Sequence, residues 1–67
     1  MTANNTADRI WAQNELTAAR RSLKDYETAL KRSDLTTDQR DWLSREVAHI
    51  RHIRLPAVTA QMQAAGF

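Results

Sequence analysis

Residues 12–30 read AQNELTAARRSLKDYETAL, and their spacing decides the fold. Ala12, Leu16, Ala19, Leu23, Tyr26 and Leu30 recur at steps of four, three, four, three and four. That alternation holds one narrow apolar stripe on a single side of an α-helix, the pattern of a seam packed along another helix. Leu43, Val47 and Ile50 repeat the spacing on a second segment. The pattern predicts an all-α chain: an antiparallel two-helix hairpin that pairs into a homodimeric four-helix bundle.

Working outward, nothing from Ala7 to Arg32 breaks a helix, since Gly and Pro are absent and Ala, Leu, Arg, Lys and Glu dominate. The first helix is expected over about 7–32, with Thr6 or Asn5 as its N-cap and residues 1–5 as a short tail. At ~1.5 Å per residue such a rod is about 39 Å long. Ser33 and Asp34 favour a turn at 33–36 because their side chains compete for backbone hydrogen bonds. Thr36-Thr37-Asp38-Gln39 reads as a capping box, with the Thr36 hydroxyl serving the Gln39 N–H and the Gln39 side chain returning to Thr36. A connection this short folds the second helix back along the first. That helix is expected over about 37–65, kinked near Pro56, which lacks an N–H and crowds the carbonyl four residues earlier. A break into three helices is the alternative. Gly66 suits the left-handed conformation past a helix end, from which Phe67 would return to Met62.

Folding at the turn sets Leu30 near Leu43, Leu23 near Ile50 and Leu16 near Ala57. Several large apolar residues then fall outside the seam. With Leu43 and Ile50 at d, Trp42 and His49 take c, Ile53 takes g, and Leu55 and Met62 take b. On the first helix Ile10 and Trp11 take b and c. A hairpin has one inner face, so a second apolar stripe calls for another surface.

Size leads to the same expectation. The 67 residues form a single small domain, and a chain this short buries only about 60% of its unfolded surface. Small folds make up the shortfall with disulfides, metals or self-association. The sequence has 0 Cys and 2 His, so self-association is favoured. Met1 to Asp8 shows no secretory pattern and no window approaches the ~18 apolar residues of a membrane span, so a cytoplasmic protein with no membrane contact is expected.

Chemistry is sparse. Glu46 and His49 have the Glu-x-x-His spacing of carboxylate-bridged metal bundles, with Glu15 or Glu27 as possible further ligands. All four fall outside the seam, and His49 with His52 offers only two ligands where structural zinc takes four. No metal or other cofactor is expected. A nucleophilic Cys, a Ser-His-Asp order and a Gly-rich phosphate loop are all missing, so an enzyme is not expected.

Ten Lys and Arg against eight Asp and Glu give a net charge of +2, too mild to imply nucleic acid by itself. Glu46 is the last acidic residue, and His49, Arg51, His52 and Arg54 follow it. An RNA- or DNA-binding dimer using Arg20, Arg21, Lys24, Arg51 and Arg54 is therefore the alternative reading. Interspersed acids oppose it, and Glu27–Lys31 and Asp41–Arg45 have the i,i+4 spacing of ordinary helix-stabilising pairs. The leading expectation is a small protein-interaction module, a regulator or inhibitor of a partner protein. Its anchors would be Trp42, Ile53, Leu55 and Met62, with Trp11 secondary and Arg51 and Arg54 as rim charges.

Overall fold

The computed structural model describes residues 4–66. Helix α1 spans Asn4–Leu30. A second helical rod follows the turn: α2 (Thr37–His49), a π-helical turn (Ile50–Arg54) and α3 (Leu55–Ala64). No strand is present among the described residues. The molecule measures 52 × 15 × 13 Å. Contacts pair Tyr26 with Trp42 and Glu15 with Arg54, so later residues of α1 meet earlier residues of the second rod.

The ends of α1 differ from the expected 7–32. Asn4 and Asn5 are already helical and Thr6 sits inside the helix, so neither Asn5 nor Thr6 caps it. The helix stops at Leu30 because its last turn tightens: the Lys31 N–H donates to the Thr28 carbonyl and the Arg32 N–H to that of Ala29, both at 3.1 Å. Such i→i+3 bonds satisfy carbonyls that an α-helix end leaves open. At the start of α2 the capping box forms in full. The Gln39 N–H donates to Thr36 Oγ1 at 3.1 Å, and the Thr36 N–H donates to Gln39 Oε1 at 2.9 Å. Asp38 adds a favourable charge to this first turn. At the far end Gly66 takes φ +91°, the left-handed conformation expected of it. The contact expected between Phe67 and Met62 lies outside the described residues.

Pro56 kinks the second rod without breaking it, and the means is a π turn. The Leu55 N–H donates to the carbonyl of Ile50, five residues back, and backbone angles stay helical at both junctions. The wider turn ends just before Pro56, where a regular α-turn would drive the ring into the His52 carbonyl. A π turn takes in one extra residue, and everything beyond it rotates accordingly.

That rotation corrects the expected packing. Ala57 was the expected partner of Leu16, but it is exposed, and Val58 faces inward at 4% exposure. Leu55 and Met62, expected outside the seam, are half-buried for the same reason. Upstream of the turn the heptad spacing holds, with Leu43, Val47 and Ile50 all buried.

The core is thin. Ala12, Ala19, Leu43, Val47, Ile50, Val58 and Ala65 are its buried members, while Leu16, Leu23, Tyr26 and Leu30 are only half covered. Alanines on α1 let the rods approach closely but contribute little apolar area each.

Candidate interaction face

Two ion pairs define the flanks of the paired rods. At 100° per residue, Glu15 lies about 60° to one side of the α1 seam and Glu27 about 60° to the other. Glu15 meets Arg54 at 3.6 Å, and Glu27 meets Arg51. The first pair therefore marks one flank and the second marks the opposite one.

Trp11, Ser22 and Ala29 lie on the Glu15 side of α1, at steps of four, seven and seven from Trp11 through Glu15. On the second rod Trp42, Glu46, His49 and Ile53 follow at steps of four, three and four, and Ile53 adjoins Arg54. The Tyr26–Trp42 and Glu15–Arg54 contacts bring these two stripes to the same side. Trp11 and Trp42 are each 51% exposed and Ile53 is 60% exposed. From the level of Tyr26, beside Trp42, to Trp11 is 15 residues of helix, or about 22 Å.

Trp42 is held rather than loose. Its ring stands edge-to-face on Tyr26, with centroids 5.5 Å apart and planes at 71°. Such a contact is worth about 1 kcal/mol beyond burial and fixes the outer ring face. Beside it an open groove of about 410 Å³ is lined by Leu35, Asp38, Gln39, Trp42 and Leu43. Ile10, 58% exposed, stands about 160° from the seam on the back of α1, away from this flank.

The flank thus brings together Trp11, Trp42 and Ile53 of the expected anchors. Leu55 and Met62 are drawn toward the inner face and leave the exposed set. Arg51 and Arg54 are present at the surface, each engaged with a glutamate of α1. Two expected local pairs are replaced: Glu27 turns to Arg51 instead of Lys31, and Arg45 Nε donates to the Asp41 backbone carbonyl at 3.4 Å.

Sequence reasoning missed Arg40. Its guanidinium donates to the Leu30 carbonyl at 3.0 Å and to the Arg32 carbonyl at 2.9 Å. The Leu30 carbonyl is open at the negative end of α1 and the Arg32 carbonyl lies in the turn just beyond it, where a cation is favoured. The available signal was a long cationic side chain immediately after the capping box, near the level of the preceding helix end. Arg32 in turn grips Asp34 through two hydrogen bonds of 3.0 and 2.7 Å. That grip, chiefly the hydrogen bond, lowers the Asp34 pKa and raises that of Arg32.

Arg20, Arg21 and Lys24 are exposed on α1. Among the described residues no three His, Asp or Glu side chains gather into a metal-holding cluster. No helix among them is long and apolar enough to cross a membrane. Compared with known protein families, with curated proteins and with solved structures, the chain matches none.

Proposed function

We propose that this chain is a small non-enzymatic protein-interaction module. In this reading the helical hairpin pairs into a four-helix homodimer and regulates or inhibits a partner protein through its Trp-bearing flank. One observation carries it: Trp11, Trp42 and Ile53, each at least half exposed, share one flank while the inner face is already occupied by the seam. Large exposed apolar groups aligned along one side of a small surface favour association there, and Trp is enriched among residues that dominate binding energy. Arg54, held in place by Glu15, serves as the rim charge of this flank, whereas Arg51, held by Glu27, lies on the opposite flank.

The RNA- or DNA-binding alternative draws on the same two arginines. Their engagement with carboxylates leaves Arg20, Arg21 and Lys24 as the remainder of that set, a weak basis for phosphate binding.

The test is affinity capture from lysate, with and without nuclease, using wild-type chain and the Ile53→Asp and Ile10→Asp variants. A defined protein retained after nuclease, lost with Ile53→Asp and kept with Ile10→Asp, supports the module. Capture that disappears on nuclease treatment transfers the function to the basic residues.

A further inference from the structure

We infer that the Trp11–Trp42–Ile53 flank is closed in solution by a second copy of this chain, docked flank to flank about a two-fold axis at the level of Ile50. The inference rests on reading this flank as the interaction face, and it names the first occupant of that face. A foreign partner then reaches Trp42 by displacing the second copy.

Surface area is the first support. A compact monomer of 7.7 kDa exposes roughly 4,300 Å² by the usual scaling of surface with mass. This chain exposes 5091 Å², roughly 750 Å² more. A standard protein interface takes about 800 Å² from each partner. The radius of gyration agrees, at 15.2 Å against about 11 Å for a compact chain of this length. One side of a 52 Å rod pair offers the missing cover along its whole length.

Self-complementarity is the second. Glu15 meets Arg54 and Tyr26 meets Trp42, which brings Trp11 to about the level of position 58. Positions 42 and 58 lie eight residues either side of Ile50. A two-fold axis there carries Trp42 of one copy to the level of the second copy's Trp11. It likewise carries Glu46 to the level of the second copy's Arg54, since 46 and 54 lie four residues either side of Ile50. Acid then meets base on facing rods, twice over, and Trp42 and the second copy's Trp11 share a level on neighbouring rods, as an isologous interface allows. The back of α1 has no matching stripe, for Ile10 stands there without a second Trp or Ile of the exposed set on its own face.

Sedimentation equilibrium of the full chain across micromolar concentrations reads the mass. The expected result is twice 7.7 kDa, with Ile53→Asp and Glu46→Arg each raising the dimer Kd at least tenfold and Ile10→Asp changing it by less than twofold. Because a separated chain could lose its fold, a second measurement leaves the interface intact. The sequence has 0 Cys, so a single His49→Cys near the two-fold axis should be cross-linked between copies by a short bismaleimide. Ala48→Cys, exposed on the opposite flank, should not. A chain that is monomeric throughout overturns the inference, as does equal cross-linking at both positions or a dimer broken by Ile10→Asp and not by Ile53→Asp. A monomer that still captures a protein in an Ile53-dependent way removes the second copy but keeps the interaction module. An Ile53-dependent dimer that captures no protein does the reverse.

Discussion

The second rod has two halves that obey different rules. From α2 to the start of the π turn, the inward residues Leu43, Val47 and Ile50 keep the spacing of a regular helix, and all three are buried. In α3 and its C-terminal cap the inward residues are Val58 and Ala65, with Met62 half-buried between them, one position later than the same spacing predicts. The two halves differ by one residue taken up at Ile50–Arg54. A proline inside a helix is usually discussed as a loss of one hydrogen bond. Here it changes which side chains point inward for the rest of the chain, and that determines which apolar residues remain outside.

The largest effect should come from exchanging the roles of neighbours across this boundary. Val58→Asp places a carboxylate at a site only 4% exposed, and burying an unpaired charge costs several kcal/mol. For a chain whose whole stability is about 3–10 kcal/mol, that should abolish the thermal transition followed by circular dichroism. Ala57→Asp, one residue away and exposed, should change stability by no more than about 0.5 kcal/mol. Equal damage at both positions would remove the one-residue offset.

A deletion sharpens the same point. Removing His52 should erase the extra residue, leaving Val58 in register on an unbroken α-helix but forcing the Pro56 ring against a carbonyl. The deletion alone should cost about 3 kcal/mol. Combined with Pro56→Ala, it should recover most of that loss in urea unfolding. Failure of the double variant to recover would mean that the π turn is required by packing rather than by proline.

At the other end of the rod the effects are local and smaller. Thr36→Ala should lose about 1 kcal/mol by removing the cap of α2. Arg40→Ala should lose a similar amount, about 1 kcal/mol, by uncovering the Leu30 and Arg32 carbonyls. The loss from Arg40→Ala should persist in high salt, because its partners are backbone carbonyls rather than a carboxylate.

The smallest effect concerns pH. The Asp34 carboxylate is held below its ordinary pKa by the Arg32 hydrogen bond. Its contribution is present above the unfolded-state pKa and is lost as pH falls through the lowered folded value. An NMR titration of the Asp34 side chain should show the depressed midpoint, and Arg32→Gln should return it toward the normal carboxylate range.

The sequence was a good guide wherever structure depends on near neighbours in a regular helix. The α1 seam, the Thr36 capping box, the Gly66 terminus and the upstream half of the second rod all follow from spacing or from residues three or four apart. The helix is continuous and bent at Pro56, as its surroundings implied. What spacing could not supply was the phase after Pro56, because counting at 3.6 residues per turn assumes that every turn is alike. One error of phase misassigned Ala57, Leu55 and Met62 together. Arg40 escaped for a different reason: its partners lie eight and ten residues back across a turn, beyond any helical repeat. Of the expected anchors, Trp11, Trp42 and Ile53 stayed outside because Trp11 and Trp42 lie before the π turn and Ile53 lies within it.

The clamp made by Arg40 also bears on how the chain finds its structure. Leu30, Arg32, Asp34, Thr36, Gln39 and Arg40 make their mutual hydrogen bonds within eleven consecutive residues. Closing so short a loop costs little entropy, and short-range contacts form early. The turn should therefore order first and the rods should zip from it toward Trp11 and Val58. In stopped-flow experiments Arg40→Ala should slow refolding, whereas Val58→Ala should mainly hasten unfolding. The reverse pattern would place the start of folding at the far ends.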